Sequence, residues 1–465
     1  MVFSSIISIY KFIPIVLTFY YLVPKKWRNP VLFIANLFFY GWGEPVYIFL
    51  MLFSILINFI NGYYVYKYLS DKKKAKFFLF LNAFFNLALL GFFKYYNFFA
   101  ENLNAIPFIS LPQLNLPLPI GISFYTFQMM SYPIDVYRGD ADCERSIINF
   151  GTYVALFPQL IAGPIVRYKD LSDQLKVRNE NLSDFNSGVK VFIVGLAKKV
   201  LIANNVGLIW KYYSELAPSS LTVLGAWIGI LAFYFQIYFD FSGYSDIAIG
   251  LGRMFGFEFK INFDYPYTSQ SITEFWRRWH MSLGTWFRDY VYIPLGGNRM
   301  GLKRQIINII IVWALTGIWH GANWNFLAWG LYFGIIIILE KILILRVLEK
   351  LPRIFRYIYT IFLVILSWTI FECTSLSNGL TYAGSLFSMW NNDLYRPMDL
   401  FNFRANLLLL LIAAVGSTPL PKKLLNSLNI KVQNILIPIG AAALLLLSTA
   451  YLINSSYNPF LYFRF

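Results

Sequence analysis

Apolar runs about as long as a bilayer is thick recur from one end of this chain to the other, separated by short basic or Pro/Gly-rich punctuation. A transmembrane helix needs ~20 mostly apolar residues. The chain has 465 residues, of which 58% are hydrophobic and 13% charged. That leaves room for about thirteen spans, and roughly ten to twelve once loops are subtracted. A soluble globular enzyme, a disordered chain and a disulfide-stapled domain are excluded. The runs are continuous rather than alternating, which also excludes an outer-membrane β-barrel.

The net charge is +16, from 39 Lys+Arg against 23 Asp+Glu. In a soluble chain this would point to nucleic acid. Here the basic residues sit in clusters between apolar runs, as the positive-inside rule requires. Topology and contact with anionic lipid account for the charge, and no nucleic-acid partner is expected. Cys143 and Cys373 are the only cysteines, so no disulfide framework or cysteine metal site is expected. Phe3 to Val23 is interrupted by Lys11 and Pro14 and is followed by Lys25, Lys26 and Arg28 rather than a cleavage site. It reads as a retained first segment with its basic end in the cytoplasm.

Further spans are expected at Val46–Tyr66 and Phe77–Phe99, with the basic stretch Asp71–Lys76 cytoplasmic between them. Ile147–Val166 carries Pro158 and Pro164 inside an apolar stretch. Broken backbone is tolerated in a bilayer only where protein or a cavity buries it, so a re-entrant hairpin is expected there. Val189–Trp210 contains Lys198 and Lys199, which suggests snorkelling lysines or an interfacial helix. Gly252–Gly301 is less apolar but dense in Trp, Tyr, Phe and Arg. No internal repeat is visible, which weighs against the inverted-repeat transporters.

His280 and His320 are the only histidines, and both lie in aromatic neighbourhoods. Histidine is the side chain best placed to move a proton near neutral pH, and ionisable groups in membrane segments are functional candidates by default. His320 follows a long apolar run. On a helix, Trp313, Gly317 and Trp324 would fall within about 60° of it. Thr316 and Asn323 could orient its ring, and Gly317, Gly321 and Ala322 allow close approach of another backbone. A structural histidine hydrogen-bonded between helices fits equally well.

If the segment around His280 is one helix, Arg277, Gly284 and Arg288 share its face within about 80°, while Asp289 points away. That positive flank suits an anionic donor, or simply a cationic aromatic segment at the headgroups. Asp240 and Asp246 stand in apolar surroundings and could pair with Arg277, Arg278 or Arg288 to hold helices together. Gln128, Ser131, Pro133 and Asp135 form another polar cluster, read as the end of a span. Two histidines so far apart in sequence, with no cysteine nearby, make a zinc site unexpected, and no metal is assigned.

The segment Phe275-Trp276-Arg277-Arg278-Trp279-His280-Met281-Ser282-Leu283, continuing through Arg288-Asp289-Tyr290 to Pro294-Leu295-Gly296-Gly297-Asn298, resembles the signature of the membrane-bound O-acyltransferases (MBOAT), in the AlgI, PatA and DltB branch. Trp319-His320-Gly321 resembles the intramembrane histidine motif of the same family. The opening Met1-Val2-Phe3-Ser4-Ser5, the Gly41-Trp42-Gly43-Glu44-Pro45 turn, Leu118–Phe127, Phe157–Ile165 and the terminal Asn458-Pro459-Phe460-Leu461-Tyr462-Phe463 are also similar.

The resemblance implies an all-α polytopic membrane protein, residues 1–465 forming a single MBOAT domain. It implies about eleven transmembrane helices, with re-entrant or interfacial helices, around a central funnel. It implies acyl transfer from a cytoplasmic thioester, with acetyl-CoA as donor substrate and no cofactor on the AlgI/PatA side. An SGNH-type partner would complete O-acetylation of an extracytoplasmic polysaccharide, and the chain would sit in the bacterial inner membrane. On the DltB side the donor is a D-alanyl carrier protein and the acceptor a teichoic acid. His320 is then expected as general base, with His280 positioning the donor or assisting proton transfer. Arg277, Arg288, Asn323, Trp276, Trp279 and Trp319 are expected to bind or orient the donor, and Asp240, Asp246 and Asp289 to pair helices. An acyl or glycolipid transporter and a non-catalytic scaffold are the competing readings.

Overall fold

The computed structural model describes residues 3–161, 163–389, 392–454 and 461. The opening Met1-Val2, Ala162 and the terminal motif apart from Leu461 lie outside the described residues.

Among the described residues, the secondary structure is helical with no strands. The helices used below are α1 (Ser8–Leu22), α2 (Arg28–Gly43), α3 (Tyr47–Lys67), α4 (Lys72–Asn104), α5 (Ile122–Arg138), α6 (Ile147–Ala155), α7 (Phe157–Leu160), α8 (Tyr168–Lys176), α9 (Leu182–Ser214) and α10 (Val223–Met254). They continue as α11 (Ile272–Arg278), α12 (Met281–Phe287), α13 (Gly301–His320), α14 (Trp324–Leu339), α15 (Arg353–Glu372), α16 (Leu376–Ser385), α17 (Pro397–Gly416), α18 (Leu420–Ser427) and α19 (Ile430–Asn454).

Eight of these helices are long and apolar enough to cross a membrane: α3, α4, α9, α10, α13, α15, α17 and α19. The chain is therefore a multi-pass membrane protein. The expected eleven is not reached on length alone, because α1, α2 and α5 each have fewer than 18 residues. At 1.5 Å per residue such helices fall short of the ~30 Å hydrocarbon core. The spans differ sharply in burial. In α10, 72% of the apolar window is covered by protein, against 6% in α19, which leaves α19 to lipid.

The Cα packing divides the chain into two compact units. The first comprises residues 1–192 and 245–260, the second residues 193–244 and 261–465. Two of the three boundaries fall within α9 and α10, and the third follows Lys260, beyond the end of α10.

In the first unit, α3 and α4 are joined by a buried amide cluster in which Asn82 and Asn86 donate to Asn58 Oδ1 at 2.6 and 2.7 Å. In hydrocarbon such polar side chains associate helices where apolar contact alone gives little preference. The backbone break between α6 and α7 falls at Leu156, and Phe150–Ile161 are buried throughout. Asn36 Oδ1 accepts from the Phe157 N–H at 3.0 Å, and Gln159 Nε2 donates to the Tyr153 carbonyl at 2.7 Å. Backbone groups freed by the break thus find partners inside the protein, as a bilayer demands.

Gln128, Ser131 and Asp135 do not simply mark the end of a span. They are buried in α5, where Tyr153 donates to the Gln128 carbonyl, and the N–H groups of Tyr168 and Lys169 reach Ser131 Oγ and Asp135 Oδ2 at 3.2 and 3.1 Å.

In the second unit, α9 and α10 cross closely: a Cβ on Gly243 would lie 2.8 Å from the Gly195 carbonyl oxygen. Beside this crossing, a π-helical turn at Lys198–Ala203 carries Lys199 inward. Lys199 does not snorkel. It is 3% exposed and pairs with Asp240 at 2.6 Å, while also donating to Asn204 Oδ1. Placing an ammonium away from the headgroups requires such a counterion. The pairing expected between Asp240 and an arginine is thus corrected to Lys199. The other Asp240 oxygen accepts from the Leu461 N–H at 3.0 Å. Asp246, further along α10, is half-buried and belongs to the first unit.

Candidate active site

The site is built on the hairpin of α13 and α14. A Cβ on Gly317 or Gly330 would overlap backbone oxygens of the facing helix, those of Phe326 and Trp313. Glycine here lets the two backbones approach as closely as small-residue membrane interfaces do. Helix α13 ends at His320 because Gly321 is extended (φ −167°, ψ 157°). Trp324 therefore opens the next helix and does not share the His320 face, since a reckoning of 100° per residue cannot cross the break. Its side chain is 54% exposed.

His320 is 3% exposed and enclosed by rings: Trp319 at 4.9 Å, Trp329 at 4.8 Å and Phe371 at 5.6 Å between centroids. Its Nδ1 lies 2.7 Å from the Thr316 carbonyl oxygen. A carbonyl only accepts, so Nδ1 carries the proton, and Nε2 of the neutral ring holds the basic lone pair. Thr316 thus orients the ring through its backbone. The Asn323 amide instead donates to the Thr374 carbonyl at 2.9 Å.

Asn325, 1% exposed, binds the carbonyls of Ile370, Phe371 and Cys373 at 3.2, 3.4 and 2.9 Å. These are carbonyls that the end of α15 would otherwise leave without partners. Asn325 thereby fixes Phe371 against His320.

His280 does not continue a helix. Helix α11 ends at Arg278, α12 begins at Met281, and His280 between them is left-handed (φ 47°, ψ 50°). The shared helical face expected for Arg277, His280 and Arg288 is therefore absent. Histidine is among the residues that adopt this conformation most readily, and such backbone persists where its surroundings over-determine it. The determinant is Asn262. Its backbone carbonyl accepts from the Met281 N–H, and its Oδ1 from the Ser282 N–H (3.1 Å) and Ser282 Oγ (2.9 Å).

The Ser282 N–H identifies that Asn262 atom as oxygen, so His280 Nδ1, 3.3 Å away, is also the protonated nitrogen. His280 packs edge-on to Phe241 at 4.7 Å and lies 6.2 Å from Trp319. Both imidazoles thus flank the Trp319 indole, with centroids at most about 11 Å apart. Each has the tautomer that keeps Nε2 as a proton acceptor.

The remaining candidates divide. Trp276 packs against Trp313, Trp329 and Phe333, and Trp279 against Phe275 and Trp368, so both stand in the aromatic core of this unit. Arg277 and Arg288 are exposed, and Arg288 pairs with its neighbour Asp289 at 2.8 Å.

Three further positioning residues emerge from the geometry. Two are Asn262 and Asn325. The third is Glu340, fully buried at a π-helical turn after α14, which accepts from the Ile272 and Thr273 N–H groups at 2.6 and 2.8 Å and so caps α11, the helix leading into His280. A lone glutamate inside an apolar run was the available signal.

Both histidines thus stand beside one indole, His320 at the end of a long apolar helix. Residues 144–383 match the membrane-bound O-acyltransferase (MBOAT) family, and the chain belongs to it. It is 39% identical to the probable alginate O-acetylase AlgI of Pseudomonas putida over 490 residues, covering all of both chains. It is 33% identical to the peptidoglycan O-acetyltransferase of Helicobacter pylori over 82% of this chain and 78% of the relative. The teichoic acid D-alanyltransferase of Streptococcus thermophilus is 32% identical over 46% of this chain and 55% of that protein.

Replacing Asn262 by Ala removes the acceptor shared by His280 and Ser282. Each buried hydrogen bond so lost is worth ~0.5–1.5 kcal/mol. The expected result is a kcat lowered by about tenfold or more with the donor KM less affected, measured by steady-state acyl transfer. A kcat equal to that of the unmodified protein would show that His280 does not depend on this hold.

Proposed function

We propose that this acyltransferase takes an acetyl group from cytoplasmic acetyl-CoA and passes it across the bacterial inner membrane for O-acetylation of an extracytoplasmic polysaccharide. The observation that carries this reading is His320. It is shielded from water by three aromatic rings, and its Nδ1 proton is held by the Thr316 carbonyl. The acceptor hydroxyl loses its proton to His320 Nε2 as its oxygen bonds to the thioester carbonyl carbon. The carbon–sulfur bond then breaks, and the proton passes to the departing thiolate, with His280 positioning the donor or assisting that transfer. Arg277 and Arg288, exposed and cationic, hold donor phosphates. Acetyl-CoA is consumed as substrate, and no cofactor is needed. An SGNH-type protein outside the membrane is the expected partner that delivers the group to polymer.

The test offers the purified protein radiolabelled acetyl-CoA and, separately, a D-alanyl carrier protein, with and without a candidate partner. Turnover of acetyl-CoA is the expected result. Turnover of the carrier alone would move the protein to D-alanyl transfer, and turnover of neither would favour a transporter or scaffold.

A further inference from the structure

Residues 105–121 join α4 to α5. Ile106, Phe108, Ile109, Leu111 and Leu116 are exposed in this loop, and no charged residue lies between Glu101 and Asp135. The start of α4 carries Lys72, Lys73, Lys74 and Lys76, so that end is cytoplasmic and the loop emerges on the outer side.

The loop is held firmly. Asn104 grips Leu111 twice: Oδ1 accepts from its N–H at 2.7 Å, and Nδ2 donates to its carbonyl at 2.9 Å. Asn97 grips Leu114 in the same way, at 2.8 and 2.7 Å. The Tyr47 hydroxyl donates to the Pro117 carbonyl at 2.8 Å. The chain thus runs back down α4 from a crest at Phe108, which is left-handed (φ 75°) with its ring fully exposed. Such backbone is rare for an aromatic residue and persists only where the surroundings over-determine it.

The backbone also suits an apolar surround. Pro107, Pro112, Pro117 and Pro119 have no N–H to satisfy. The Ile106 and Ile109 N–H groups donate to the Leu103 and Ile106 carbonyls at 2.9 and 3.3 Å. With the two asparagine grips, these pairings remove donors that would be costly to leave unpaired away from water.

What covers the crest follows from α4. Its exposed residues Phe77, Phe80, Phe84 and Leu87 recur at spacings of three and four and mark the face turned to lipid. Beyond a π-helical turn at Gly91–Tyr95, Phe99 and Leu103 repeat the pattern and lead to Ile106. Leu87 and Phe99 are about three turns apart once the extra residue of the π-turn is discounted, so both stretches share one face. Glu101, two residues from both Phe99 and Leu103, lies about 200° round the helix from each. The lipid face of α4 therefore continues unbroken onto the crest. Phe77–Asn104 is 28 residues, about 42 Å at 1.5 Å per residue, against a ~30 Å hydrocarbon core. Tilt is how an apolar face of that length stays covered.

We propose that this loop is a membrane anchor: Phe108 and Ile109 lie in the outer leaflet, beneath the headgroups and against phospholipid acyl chains. The proposal needs only a multi-pass membrane protein and is independent of the acyl-transfer reading.

The experiment puts one environment-sensitive fluorophore on the full-length protein in phospholipid nanodiscs, at Phe108→Cys, with the native cysteines replaced (Cys143→Ser, Cys373→Ala). Phe84→Cys, on the lipid face of α4, and Asp142→Cys, at an exposed loop position, give the two references. The label at 108 is expected to be quenched by brominated acyl chains within about twofold of the label at 84, and by aqueous iodide at least about fivefold less than the label at 142. Ile109→Cys should give the same result, and it serves where Phe108→Cys disturbs the loop. Iodide quenching equal to that at 142, with none by brominated lipid, would put the crest in water and overturn the proposal. Protection from both quenchers would put protein there, such as a second copy of this chain, and would overturn it equally.

Discussion

Replacing His320 by Gln is expected to lower acyl transfer by ~10²–10⁴-fold, the usual contribution of a positioned general base. Glutamine is the informative choice. Its amide can still donate to the Thr316 carbonyl, now held by Nδ1 at 2.7 Å, and it fills much of the space between Trp319, Trp329 and Phe371. It has no nitrogen that accepts a proton near neutral pH. If His320 only ties helices together, Gln should restore much of what Ala removes. If it is the base, Gln and Ala should lose the same activity while Gln keeps the thermal stability of the unmodified chain. The check is initial-rate acyl transfer at matched amounts of monodisperse protein, with thermal unfolding measured in parallel. A Gln variant within about tenfold of the unmodified rate would remove His320 from the proton path.

His320 was visible in the sequence because it stands at the end of an apolar run, where an ionisable group must have a use. Its surroundings were less visible. Thr316 follows from helical periodicity, but Trp329 and Phe371 reach the ring only once Gly317 and Gly330 let α13 and α14 close and Asn325 clips the end of α15. His280 was legible as a candidate and misplaced in its local structure. A pattern read at 100° per residue assumes a helix, and this one is broken by Asn262, eighteen residues upstream, which no periodicity in Phe275–Tyr290 reports. Glu340 stands in an apolar run whose sequence gives no sign of its partners, the first N–H groups of α11, which lie far earlier in the chain. What escaped the sequence is consistently the partner supplied by a distant element.

Lys199 and Asp240 make the same point energetically. In Lys199→Met the Asp240 carboxylate, 1% exposed in the intact protein, loses its counterion. Breaking one half of a buried pair costs ~3–5 kcal/mol, because the charge left behind is uncompensated. Asp240→Asn added to Lys199→Met removes that charge while keeping an oxygen for the Leu461 N–H, which Asp240 now holds at 3.0 Å. Well-packed neutral replacements of a buried pair are often neutral or stabilising. Lys199→Met alone should therefore lower the unfolding temperature by several degrees or leave no monodisperse protein, and the double variant should recover most of the loss. A lysine that merely snorkelled would give no such rescue, since its removal would leave no buried charge to neutralise. If Lys199→Met unfolds at the same temperature as the unmodified protein, or if the double variant is no better than the single, the pair does not carry the crossing of α9 and α10. That crossing would then rest on close glycine approaches, such as Gly243 against Gly195, and on ring packing such as Trp210 against Phe233.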